Sequence, residues 1–322
     1  MAKEFYPYPI IAGPTASGKT SVAVDLAKRL NGEVVSADSM QIYDEISIGT
    51  ARPNEDEMQG VPHHLLGFLP LSESYSVARY TEDADRVFQD IFSREKTPIL
   101  CGGTGLYIQS FSENIRFFPQ EPNGLLREQL KARAAKEGGV ILLEELRAVD
   151  PETAARLHIN DCNRIIRALE VYHTTGQTIN EQARLSKATP SPYDRCLFLL
   201  NYRDRNTLYD RIERRVDLML KTGLLDEAAR VYSNDPRATV LQAIGYKEVL
   251  PYLRGEESLA SAVAQLKIAT RHYAKRQISW FNRMDGVRKI WIDDYADFTA
   301  VVDEIERQFK EFCKEGRRDG KD

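Results

Sequence analysis

The chain has 322 residues, 42% of them hydrophobic and 29% charged, a composition that suits a water-soluble globular protein of about two domains. No apolar run approaches the ~20 residues a membrane span needs. Its four scattered cysteines form no Cys-x-x-Cys pair and no disulfide framework, and the N-terminus lacks a secretory pattern, so reduced thiols in the cytoplasm are expected. The net charge of −4 argues against a uniformly basic nucleic-acid binder and shifts attention to local patches.

In chain order, Pro9-Ile10-Ile11-Ala12 reads as the end of a buried strand, and Ser21 to Leu30 has helical spacing of its apolar residues. Between them lies Gly13-Pro14-Thr15-Ala16-Ser17-Gly18-Lys19-Thr20, which fits Gly-x4-Gly-Lys-[Ser/Thr]. Backbone N–H groups and the lysine of such a loop wrap a phosphate chain at a helix N-terminus, so a di- or triphosphate ligand is expected. Glu33 to Ala37 is a second strand, about 76–94 a helix, and Pro98 to Cys101 a third strand. This βαβαβ order predicts a P-loop NTPase-like α/β fold, a parallel sheet flanked by helices, with ligands at the carboxyl ends of the strands. Two further segments sit at such ends. Asp38-Ser39-Met40-Gln41 offers a carboxylate, a hydroxyl and an amide, and Gly102-Gly103-Thr104-Gly105 offers close backbone approach and one hydroxyl.

Beyond Phe111, residues 116–119 and Glu121-Pro122 read as a connection, and Gly124 to about Leu185 is helical in pattern with no strand candidate. Arg195 to Tyr202 reads as a buried strand, 205–222 as a helix, and Val287 to Ile292 as a last strand. The expected architecture is a five-stranded parallel core from 1–115 and 195–322, with an all-helical insertion at 116–194. Residues 303–322 are expected to be a mixed-charge tail, a frayed helix end. From Lys267 to Lys289, seven Lys or Arg stand against one acid, Asp285, and His272, Tyr273, Trp280 and Phe281 are interleaved with them. Such a patch suits an RNA backbone, although a charge run is more often a solvated helix face.

The combination of Gly-Pro-Thr-Ala-Ser-Gly-Lys-Thr, Asp-Ser-Met-Gln-Ile-Tyr and Gly-Gly-Thr-Gly-Leu-Tyr resembles the tRNA dimethylallyltransferase (tRNA isopentenyltransferase) family. The likeness continues through Asn160-Asp161-x-x-Arg164-x-x-Arg167-Ala168-Leu169-Glu170, Arg211-Ile212-x-x-Arg215, Ala243-Ile244-Gly245-Tyr246-Lys247 and Thr270-Arg271-x3-Lys275-Arg276-Gln277-x2-Trp280. Seven ordered motifs span residues 13–280. One departure is Asn163, where the family often carries glutamine.

The resemblance implies transfer of a dimethylallyl group from dimethylallyl diphosphate to N6 of the adenosine 3′ of the anticodon, in tRNAs reading codons that begin with uridine. It implies a monomer that binds the anticodon stem-loop. Residues 13–20 would bind the diphosphate, helped by Arg211 or Arg215, with Arg215 favoured. Mg²⁺ would sit on the diphosphate beside the Thr20 hydroxyl. Asp38 would be the general base, and Thr104 would assist. Contacts to tRNA would come from Asp38, Ser39, Met40, Gln41, Thr104, Asn163, Arg164, Ile165, Ile166, Arg167, Gln242, Gly245, Tyr246, Lys247, Arg271, Lys275 and Arg276. The insertion and the basic stretch would grip the stem-loop, and the target base would be extruded into a pocket. Three rivals remain on the residues alone: a small-molecule kinase sharing the phosphate loop, a prenyltransferase acting on free adenine nucleotide, and a nucleotide-gated RNA-binding module without chemistry.

Overall fold

The computed structural model describes residues 5–115, 117, 124–187, 189–233 and 238–319. The expected connection at 116–122 lies outside them except for residue 117. The chain divides into two compact units, Met1–Ser112 with Pro192–Asp322, and Glu113–Ser191.

The first part of the larger unit contains β1 (Pro7–Ala12), α1 (Lys19–Arg29), β2 (Gly32–Ala37), α2 (Glu55–Met58), β3 (His63–His64), α3 (Val77–Ser93), β4 (Thr97–Gly102) and α4 (Gly105–Ser112). The smaller unit contains α5 (Gly124–Glu137), α6 (Gly139–Val149), α7 (Pro151–Ala154), α8 (Cys162–Thr175) and α9 (Ile179–Lys187). The larger unit resumes with β5 (Asp194–Asn201), α10 (Arg205–Lys221), α11 (Leu224–Ser233), α12 (Ala238–Leu241), α13 (Leu250–Leu253), α14 (Leu259–Phe281), β6 (Arg288–Trp291) and α15 (Phe298–Asp319).

The six strands form one sheet of order β3-β2-β4-β1-β5-β6, and every pairing is parallel. The period of two along a strand sends alternate side chains to opposite faces. Ile11, Phe198 and Leu200 pack with Val22 and Leu26 of α1, and Ile10, Leu197 and Leu199 pack with Tyr80 and Phe88 of α3. Helix α3 starts where the Ser76 hydroxyl accepts the Arg79 N–H at 3.1 Å, and its buried residues recur at 80, 84, 88 and 91 on one face. Because β1 lies between β4 and β5, the connections diverge there, which opens a crevice at the carboxyl ends of the strands.

Two sequence expectations are corrected. The sheet has a sixth strand, His63–His64, beside β2. Two residues between turns carry no readable alternation, so only the pairing partner makes them a strand. The tail expected to fray is helix α15, whose Val301, Val302, Ile305 and Phe309 are buried against the sheet. Their i, i+3, i+4 spacing was overshadowed by the charges between them. Each such side chain contributes about 1.5–3 kcal/mol by leaving water. The smaller unit has its own core of Leu130, Leu142, Leu143, Leu146, Ile165, Ile166 and Leu169.

Candidate active site

The phosphate loop runs from the end of β1 to the start of α1. Gly18 adopts φ +86 as the residue before the helix, and the Phe298 ring occupies the space a side chain there would need. The first amides of α1 therefore open toward the crevice, as helix N-termini do when no side chain caps them. Lys19 folds back and donates to the Pro14 carbonyl at 3.1 Å. Burial, opposed by the neighbouring Cys101 and Asp38 and reinforced by Arg215, brings its ammonium down to about 8. Burial likewise lowers the Arg215 guanidinium, despite the attraction of Asp38. The Arg215 Nε is buried with no hydrogen-bond partner among the described residues, and so is the Ser17 hydroxyl. Two desolvated cations and an orphaned donor beside a phosphate loop are short of an anion.

Arg211 is placed differently. Its Nε donates to the Ala16 carbonyl at 2.9 Å, and its guanidinium lies over the Tyr202 and Phe298 rings. Through that nitrogen it braces the loop, whereas the Nε of Arg215 has no such commitment.

Asp38 follows β2 directly. Its Oδ1 accepts the Met40 N–H at 2.9 Å and the Gln41 N–H at 3.3 Å, while Oδ2 has no hydrogen-bond partner among the described residues. The carboxylate is thus fixed by its own turn and keeps one oxygen for a substrate. Across from it, the Ser39 N–H donates to the Thr104 hydroxyl at 3.0 Å, the Thr104 hydroxyl donates to that of Ser39 at 3.3 Å, and the Thr104 N–H donates to the Ala37 carbonyl at 3.1 Å. The Gln41 amide is committed to the Thr50 and Ala51 carbonyls at 3.1 and 3.0 Å, so it shapes a loop and has no hydrogens left to read a base.

Four of the expected RNA contacts are buried or already engaged within the protein. Tyr246 is 0% exposed, and its hydroxyl donates to Glu227 at 2.7 Å. Glu227 also accepts the N–H groups of Ser47, Ile48 and Gly49 at 2.8, 2.9 and 2.8 Å, so this pair anchors the 47–49 turn. Ile165 and Ile166 are core residues of the smaller unit. Arg271 is held by Glu213 at 2.7 Å. Asn163, Arg164, Arg167, Gln242, Lys247, Lys275 and Arg276 are exposed. Arg164 and Arg167 pair with Asp161 at 3.8 Å and Glu170 at 2.9 Å.

Gln277 belongs to a motif read in the sequence, yet its role shows only in space. It is 5% exposed, accepts the Thr15 N–H at 2.8 Å and donates to the Gly103 carbonyl at 2.9 Å. Among the described residues, no group of three or more His, Cys, Asp or Glu is placed to hold a metal ion, and no helix is long and apolar enough to cross a membrane.

The model of a family described as IPP transferase matches residues 41–284. A tRNA dimethylallyltransferase of Caldanaerobacter subterraneus is 46% identical over 299 residues, covering 92% of this chain and 95% of that protein. The crystal structure of the full-length tRNA isopentenylpyrophosphate transferase from Bacillus halodurans superposes with a TM-score of 0.72 at 39% identity, covering 98% of this chain and 99% of that one. A eukaryotic dimethylallyltransferase acting on tRNA gives a TM-score of 0.76 at 31% identity, over 88% of this chain and 74% of that one.

Proposed function

The chain belongs to the IPP transferase family and is a tRNA-prenylating enzyme, and on that premise we propose its substrates and chemistry. It transfers a dimethylallyl group from dimethylallyl diphosphate to N6 of the adenosine 3′-adjacent to the anticodon, in tRNAs reading codons that begin with uridine. The observation that carries this reading is the pair of partly buried, desolvated cations, Lys19 and Arg215, near an Asp38 oxygen with no partner among the described residues.

The allylic C–O bond breaks as the N6–C bond forms, and charge builds on the departing diphosphate. Loop amides, Lys19 and Arg215 would take up that charge as it develops on the departing diphosphate. The exocyclic amine of adenine is a weak nucleophile because its lone pair is delocalised into the ring. Asp38 Oδ2 orients that amine and takes the proton released as the new bond forms. Thr104 and Ser39, locked to each other, hold the acceptor loop in register with the base.

A divalent ion fits here as a partner of the substrate, since the Thr20 hydroxyl offers hard oxygen and no acidic cage is present among the described residues. Mg²⁺ bound by Thr20 and the diphosphate oxygens would neutralise charge on the leaving group. The exposed Arg164 and Arg167 of α8 and Lys275 and Arg276 of α14 are the RNA-facing cations, and the reading needs one copy of the chain, in the cytoplasm.

The test is mass analysis of tRNA nucleosides after incubation with purified protein and dimethylallyl diphosphate. The expected product is adenosine carrying one added five-carbon unit, next to the anticodon. Modification of free AMP in preference to tRNA, in a direct competition, would move the enzyme to nucleotide prenylation. Unmodified tRNA in every reaction would sink the reading.

A further inference from the structure

The phosphate loop and the Gly103-Thr104 turn leave the ends of two neighbouring strands, β1 and β4, whose pairing runs as far as Ala12 and Gly102. A third element spans them. Gln277 of α14 accepts the Thr15 N–H at 2.8 Å and donates to the Gly103 carbonyl at 2.9 Å, from a position 5% exposed. Its amide fills the space beside the Gly103 α-carbon, where any side chain would collide with it. One turn away on the same helix, the Trp280 ring fills the space beside Gly105. The Tyr273 hydroxyl, one turn the other way, faces Thr104, Gln277 and Asp38. A single helix face therefore touches the leaving-group loop, the acceptor turn and the neighbourhood of the base.

We infer that Gln277 is a positioning residue: its carboxamide is a strut that fixes the distance between the diphosphate loop and the Thr104 turn, and so between leaving group and incoming amine. The inference rests on the prenyl-transfer reading for its kinetic consequence, and on geometry alone for the strut. No other uncharged side chain of this size gives one acceptor and one donor at that separation. Leucine would remove both bonds and strand a buried N–H and a buried carbonyl, and glutamate would keep the bond to Thr15 while setting an oxygen against the Gly103 carbonyl. Reaction rate depends on alignment more steeply than ligand affinity does, and a misplacement of about 1 Å costs on the order of a hundredfold.

The full-length protein and its Gln277→Leu, Gln277→Glu and Gly103→Ala variants are compared by two readouts. The first is amide hydrogen exchange, in which Thr15 to Ser17 and Gly103 to Thr104 are expected to exchange about tenfold faster in the leucine variant, with the rest of the sheet unchanged. The second is single-turnover transfer at saturating tRNA and dimethylallyl diphosphate. Here the rate is expected to fall about a hundredfold in all three variants, while the Kd values for inorganic pyrophosphate and for an anticodon stem-loop move less than about threefold. Gly103→Ala disturbs the same strut from its other end, so agreement between the two positions separates alignment from a general loss of folding. Unchanged exchange at both loops, or transfer within about threefold of wild type in a folded variant, overturns the strut. A loss of rate that tracks equal losses of both affinities and of thermal midpoint also overturns it, since that is the signature of a merely structural residue. If wild-type protein transfers no prenyl group, the proposed function fails on its own, and the exchange arm decides the strut.

Discussion

The strand-end crevice and the outer surface of α8 both carry arginines that the sequence marks for a phosphate-bearing partner, and they hold them under opposite conditions. Arg215 and Lys19 are partly buried and lowered below their ordinary values by desolvation, and neither forms an ion pair among the described residues. Arg164 is 74% exposed and, like Arg167, already leans on an acid one turn away. A desolvated charge interacts strongly with the one ligand shaped to reach it, whereas a solvated and paired charge is screened and cheap to rearrange. The first arrangement suits chemistry on a diphosphate. The second suits reversible attraction to a long polyanion. If that division is right, changes in the crevice will appear in turnover or diphosphate affinity, and changes on α8 in the salt dependence of RNA binding.

The largest effect is expected from Asp38→Ala, which should lower single-turnover transfer by about two to four orders of magnitude with the stem-loop Kd nearly unchanged. Near-normal transfer in that variant would remove Asp38 from the reaction. Next, Lys19→Met should weaken pyrophosphate binding about a hundredfold by calorimetry, because it leaves the anion without its desolvated partner.

Lys19 also makes a pH prediction. Its ammonium sits at about 8 in the folded protein against 10.5 ordinarily, so the unfolded chain binds more protons between those values. Stability from this group should therefore rise as pH increases from about 8 to about 10.5, while pyrophosphate affinity falls over the same rise as the ammonium is lost. Binding draws the proton back, so calorimetry near pH 8 in buffers of different ionisation enthalpy should report proton uptake. No uptake would mean that Lys19 does not face the anion.

A smaller change, about tenfold in tRNA affinity, is expected from Arg164→Ala combined with Arg167→Ala, and the slope of log Kd against log salt should flatten by about one unit per lost contact. An unaltered slope would make both arginines surface pairs only. The smallest effect is expected from Tyr246→Phe. Loss of the buried hydrogen bond to Glu227 should cost about 2 kcal/mol, read as a lower thermal midpoint. A variant with the wild-type midpoint and weakened RNA binding would return Tyr246 to the RNA interface.

Much of this was legible along the chain. The alternation of short apolar runs with helical spacing specified a parallel α/β sheet, because a strand buried on both faces must be apolar throughout and its crossover must be amphipathic. The phosphate loop, Asp38 and Thr104 were legible because strand ends in such sheets are where ligands go, and their residue types have few other reasons to cluster there. The motif read around Gly245-Tyr246-Lys247 was real as a pattern but said nothing of burial. Packing of the 40–50 segment on α10 to α14 turns Tyr246 inward. Similarly, charge in the Lys267 to Lys289 stretch is partly spent on Glu213 and Asp217 of α10.

What the sequence by itself determined was local: which segments could form strands and helices, where the phosphate loop lay, and which carboxylate followed the second strand. Those properties depend on neighbours within a few residues, and periodicity and turn chemistry record them. The tertiary structure alone decided that His63–His64 pairs as a strand, that α15 packs on the sheet, that the Nε of Arg211 is spent on the Ala16 carbonyl while that of Arg215 has no partner among the described residues, and that Gln277 ties residue 15 to residue 103. Each of these depends on contacts between parts of the chain far apart in sequence, and such contacts leave no spacing to read until packing and desolvation have chosen the partners.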